Sequence, residues 1–72
     1  MKQELDNLTV SRNIKAQRII RGLYQIEVAK MLGISKQTYI RIETKPYEMP
    51  IWKLCRVADV LGCKLDDFFV KH

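Results

Sequence analysis

Ser35, Lys36, Gln37, Thr38 and Arg41 bring hydroxyl, ammonium, amide and guanidinium groups together in one short stretch of chain. Side chains of these kinds hydrogen-bond base edges and phosphates. A glutamine amide can pair with adenine, a lysine or arginine with guanine, and hydroxyls are tolerant partners. Within the same stretch Tyr39 and Ile42 are three apart, so a helix here would bury them on one face and leave most of the polar set on another. Covalent chemistry is poorly served. Cys55 and Cys63 lie eight apart and the single histidine is His72, which gives neither metal-ligand spacing nor a Cys–His pair. The two cysteines read as small core or surface thiols, and no metal or cofactor is expected. With no paired acids in a cleft-forming arrangement and a core too small for a sizeable pocket, the chain carries no catalytic set and is not expected to be an enzyme.

The charge balance points the same way. Thirteen Lys and Arg face eight Asp and Glu, a net charge of +5 over 72 residues. Such an excess is the footprint of an anionic partner. All the basic residues except Lys2 lie between Arg12 and Lys71, so an anion-binding surface must be built from folded elements rather than from a tail. A basic membrane-surface helix would need a wide aromatic face beside a Lys-rich one, and no segment has both. No apolar run approaches the ~20 residues that cross a bilayer. The polar stretch Met1 to Asn7 has no apolar run of signal-peptide length, so the expected location is the cytoplasm, where both cysteines stay reduced.

Gly22, Gly33 and Gly62, with Pro46 and Pro50, cut the chain into helix-sized pieces. The first helix is expected to start from Thr9 or Ser11, with Val10, Ile14 and positions 17/18 on its apolar side, and to stop at Gly22. The second runs between Tyr24 and Leu32, with Val28, Ala29 and Leu32 inward and Gly33 as its stop. Ser35 caps the third. Pro46 makes 43–49 a loop, and Pro50 opens a fourth helix that buries Leu54, Val57, Ala58 and Leu61 before Gly62. A fifth, short helix covers about Leu65 to Val70, with Asp66 and Asp67 in its first turn, where carboxylates suit the positive end of the dipole. The fold expected is all-α, a compact five-helix bundle in one domain over 1–72, with 1–8 as an N-terminal arm.

The join of the second and third helices is the most informative feature. Two helices crossing steeply after a short turn need a small residue where they touch and a glycine where the chain turns, and Ala29 and Gly33 meet those demands. Val28, Leu32, Ile34 and Ile42 can bury the inner faces. Residues 25–43 therefore read as a helix-turn-helix, whose second helix docks its N-terminal end in the major groove.

From about Asn13 to Phe69 the sequence resembles the lambda-repressor/Cro-like, or XRE, family of helix-turn-helix domains. The matching blocks are Ile14-Lys15 with Arg18, Gln25 with Val28-Ala29, Leu32-Gly33-Ile34-Ser35, Lys36-Gln37-Thr38, Ile42-Glu43, Pro50, Leu54 with Val57-Ala58, Leu61-Gly62, and Leu65-Asp66-Asp67-Phe68-Phe69. The resemblance implies a five-helix domain, usually dimeric, that binds double-stranded operator DNA and regulates transcription as a repressor or phage Cro-like protein. It implies that Gln25 contacts a phosphate at the start of the second helix, that Lys36, Gln37 and Arg41 face bases or flanking phosphates, and that Ser35 and Thr38 anchor the backbone. Lys45 and Tyr47 would reach phosphates from the following loop, positioning the protein without reading sequence. It also implies that Arg18 and Glu43 form a structural salt bridge between the first helix and the end of the third. Size alone suggests a phage or plasmid origin.

Three positions depart from the family pattern. Tyr39 stands where the family has Ile or Val and must find room and a hydroxyl partner. Ile40 replaces a small polar residue, and Gln17 replaces a leucine. Among apolar residues off the core stripes, core packing and a partner surface explain Trp52 equally well, and a dimer or partner contact is the expectation for Phe69 and Val70. A second function class stays open at this point: a module that keeps the fold but acts by binding another regulator, as antirepressors and antitoxin partners do.

Overall fold

The computed structural model describes residues 6–71. Four α-helices follow one another: α1 (Asn7–Ile20), α2 (Gln25–Leu32), α3 (Lys36–Thr44) and α4 (Ile51–Leu61). One 3-10 turn, Pro46–Glu48, joins α3 to α4, and a 3-10 helix, Leu65–Phe69, follows α4. No strand occurs among the described residues.

The all-helical class is as expected, but the expected count of five helices is corrected to four plus the two 3-10 elements. The last segment is a short 3-10 helix held at both ends. The Asp67 carboxylate accepts the Lys64 N–H at 2.9 Å, and Asn13 on α1 donates its amide to the carbonyls of Phe68 at 2.9 Å and Val70 at 2.7 Å. These bonds hold both ends of a five-residue segment, a short connector of the kind in which 3-10 turns are frequent. α1 also starts earlier than Thr9 or Ser11. The Asp6 carboxylate caps it by accepting the Thr9 N–H at 2.8 Å, so Asn7 and Leu8 are helical rather than part of an arm. The rest of the expected arm, residues 1–5, lies outside the described residues. Residues 43–49, expected as a loop, hold the end of α3 and the 3-10 turn.

The core follows the helical stripes. Val10 and Ile14 from α1, Val28 and Ala29 from α2, Tyr39 and Ile42 from α3, and Leu54, Val57, Ala58 and Leu61 from α4 close around Phe68. Leu32 and Ile34 are half-buried and pack on its edge. Phe69 also packs against the core, whereas Val70, Ile51 and Trp52 stay exposed. Trp52, 57% exposed, is therefore not a core residue.

The turn between α2 and α3 carries the geometry that matters most. Gly33 takes φ 72°, a left-handed conformation that a side chain would strain, and the Ile34 N–H closes on the Ala29 carbonyl at 3.0 Å. Ala29 is fully buried beneath it.

Candidate nucleic-acid interface

α3 is fixed from its buried side. Glu43, in its last turn, is 3% exposed and accepts hydrogen bonds from three elements. Arg18 of α1 grips it in bidentate fashion, Nε to Oε2 at 2.7 Å and Nη2 to Oε1 at 3.1 Å. Gln25, the first residue of α2, donates its amide to Oε1 at 3.1 Å, and the Tyr39 hydroxyl donates to Oε2 at 2.7 Å. Arg18 spends a further N–H on the Leu23 carbonyl at 2.9 Å. Burial alone would raise the Glu43 carboxyl, but the hydrogen bonds from Arg18 and Tyr39 outweigh it and hold the group below the ordinary carboxylate range. The same carboxylate keeps Arg18 charged, and burial, reinforced by the bond to Glu43, pushes the Tyr39 phenol above its ordinary value.

This cluster answers the question posed by Tyr39. Its ring fills a fully buried slot and its hydroxyl has a charged acceptor, so the departure from Ile or Val is accommodated inside the fold. The structural salt bridge expected between Arg18 and Glu43 is present at 2.7 Å and nearly buried.

The opposite side of α3 is open. Lys36, Gln37, Thr38 and Arg41 are exposed, and Gln37 and Arg41, four apart, share one ridge along the helix, which ends at the exposed C-cap residue Lys45. Ser35 caps the front: its Oγ accepts the Thr38 N–H at 3.1 Å and lies 2.8 Å from the Thr38 hydroxyl. No acidic side chain sits in this first turn, so the positive end of the helix dipole is uncompensated there. Anions are favoured at such an end. Gln25 is half-buried and reaches α3 through Glu43, which leaves only the rest of its amide for an outside partner.

Lys45 and Tyr47 lie just past α3 and are exposed. Their loop is held by Asn7, whose amide donates to the Thr44 carbonyl at 3.0 Å while its oxygen accepts the Tyr47 N–H at 3.1 Å. Asn7 was not a sequence candidate, and neither was Glu48, which lies 3.6 Å from the Arg41 guanidinium. Neither residue shows in a helical pattern, because their contacts span parts of the chain that only the fold brings together. The Thr44 hydroxyl, also exposed, bonds back to the Ile40 carbonyl at 2.7 Å.

The chain matches the Helix-turn-helix family over residues 14–68. It belongs to the XRE family of helix-turn-helix proteins. An uncharacterized HTH-type transcriptional regulator of Methanocaldococcus jannaschii is 33% identical over 61 residues, which cover 85% of this chain and 92% of that protein. No solved structure matches the chain. Family membership and this relative support a DNA-binding transcriptional regulator. In this XRE-family chain the matched segment contains the whole Arg18–Gln25–Tyr39–Glu43 cluster and all of α3. No helix among the described residues is long and apolar enough to cross a membrane.

Proposed function

We propose that this protein is a sequence-specific DNA-binding transcriptional regulator of repressor or Cro-like type. It binds a pseudo-palindromic operator as a homodimer and sets two copies of α3 in major grooves ~34 Å apart. The observation that carries this reading is the division of α3: one side locked to α1 and α2 through Glu43, the other presenting Lys36, Gln37, Thr38 and Arg41 to solvent. Recognition needs that combination, because a base contact discriminates only when the donor is held in a fixed place.

In this reading Gln37 and Arg41 address base edges and Lys36 addresses a base or a flanking phosphate. Gln25, Lys45 and Tyr47 contact phosphates, while Ser35 and Thr38 fix the front of α3 against the DNA backbone. The net charge of +5 supplies the attraction, and the site of action is the cytoplasm, where operator DNA lies. Affinity then depends on salt. With about eight phosphate contacts in the dimer, log K against log salt should slope near −7 on a duplex selected from a random pool. A slope near zero on that duplex would remove the DNA-binding reading.

A second reading, a module that binds another regulator, is favoured by one specific feature. Trp52, Lys53 and Arg56 of α4 border an apolar groove of about 120 Å³ floored by Leu32, Ile34 and Ile42. A stoichiometric regulator captured from the native host, together with no DNA shift, would select this reading. A DNA shift without such a partner selects the first.

A further inference from the structure

Glu48 is an acid in a place where a DNA-binding surface ordinarily wants none. It ends the 3-10 turn between α3 and α4, beside Lys45 and Tyr47, and its Oε1 lies 3.6 Å from Nη2 of Arg41, in the middle of the exposed ridge. Its backbone is not free to swing away. Pro46 is fully buried, the Glu48 N–H bonds the Lys45 carbonyl at 3.0 Å, and Asn7 holds the Thr44 carbonyl and the Tyr47 N–H on either side. Both partners of the pair are more than half exposed, so it adds little to folding.

On the DNA-binding reading above, on which this role depends, we propose that Glu48 is a specificity determinant that acts through Arg41. A carboxylate at this distance lowers the positive potential by which the guanidinium would otherwise attract any phosphate, and is itself repelled by the DNA backbone. Arg41 therefore contributes little to sequence-independent binding. At 3.6 Å Glu48 makes an ion pair and not a hydrogen bond, so the planar fork of five N–H donors stays open to the two acceptors of a guanine edge. The pair thus weakens contact with every sequence and spares the one that offers a base edge. Discrimination is a difference between affinities, and a built-in repulsion raises it as effectively as an added attraction. Asn7 is the positioning residue that keeps the turn, and so the carboxylate, beside Arg41.

The test uses the full chain, a duplex selected from a random pool by the wild type, and a scrambled duplex of the same length. Both are titrated at several salt concentrations with the wild type, Glu48→Gln, Arg41→Ala and the double variant. Glu48→Gln should bind the scrambled duplex about ten-fold more tightly, steepen the salt slope by about 0.9 per subunit, and lower the selected-to-scrambled ratio about ten-fold. In the Arg41→Ala background the same substitution should leave that ratio unchanged. A ratio unaffected by Glu48→Gln, or one that falls equally with and without Arg41, overturns the proposal while leaving DNA binding intact. A wild type that binds both duplexes alike, or neither, overturns the DNA-binding reading and this role with it.

Discussion

Arg18 and Glu43 meet on the inner side of α3, bidentate at 2.7 and 3.1 Å and almost out of water, whereas Arg41 and Glu48 meet on its outer side at 3.6 Å with more than half of each side chain exposed. The groups are the same and only the surroundings differ. Inside, Tyr39 and Gln25 use the acceptor sites that Arg18 leaves on the carboxylate, so no buried side-chain polar atom among the described residues lacks a partner. Outside, water and salt screen the pair, and both groups remain available to a ligand. An arginine–carboxylate contact is thus closed off or open to a ligand according to what encloses it, and α3 carries one of each kind.

The largest expected effect lies on the inner side. Arg18→Met strands a buried carboxylate and should cost about 3 to 5 kcal/mol, enough to threaten a domain of this size. A thermal melt measures it, and a loss below about 1 kcal/mol would show that the cluster is dispensable. Tyr39→Phe keeps the ring packing and removes one hydrogen bond to a charged acceptor, for an expected loss of about 1.5 to 3 kcal/mol in chemical denaturation.

Titration follows from the same geometry. The Glu43 carboxyl is held low in the folded state, so its stabilisation is fully present above the ordinary glutamate range and is lost as pH falls through the folded value. Asp6, held low by the Thr9 N–H it accepts, acts in the same direction. The Tyr39 phenol is raised, so its contribution is present below the ordinary tyrosine value and fades as pH climbs above it. Denaturation followed across pH should therefore show a plateau at neutrality with a fall on each side, and Tyr39→Phe should flatten the alkaline one. An alkaline limb unchanged in that variant would place its origin elsewhere.

The smallest effect is expected outside. Glu48→Gln should change folding stability by no more than about 0.5 kcal/mol. A stability loss comparable to that of Arg18→Met would erase the contrast between the two pairs.

Much of the fold was readable from residue types. Gly33, Ala29 and the stripes through Val28, Leu54 and Leu61 place α2, the turn and α4 almost residue for residue, because helical periodicity and a left-handed glycine are local signals. The start of α1 was displaced because Thr9 and Ser11 can cap as well as Asp6, and local chemistry does not choose between them. The way the last helix is held is not legible, because nothing near Leu65–Phe69 announces Asn13, fifty-five residues from Phe68 in sequence, as the group that bonds its last carbonyls. Among the candidate contacts, the exposed face of α3 was legible, since spacing fixes which side chains share a face. Asn7 and Glu48 were not, since their roles arise from contacts between segments far apart in the chain or across a turn. Trp52 could not be assigned from pattern at all, because a lone tryptophan suits a core and a surface equally.

The most direct test of the central claim, that the outer face of α3 reads bases while the following loop only grips the backbone, compares Gln37→Ala with Lys45→Ala on a panel of single-base operator variants. Gln37→Ala should relax preference at one position by about 1 to 3 kcal/mol, whereas Lys45→Ala should weaken binding to every sequence alike. Equal losses from the two substitutions on all duplexes would contradict it.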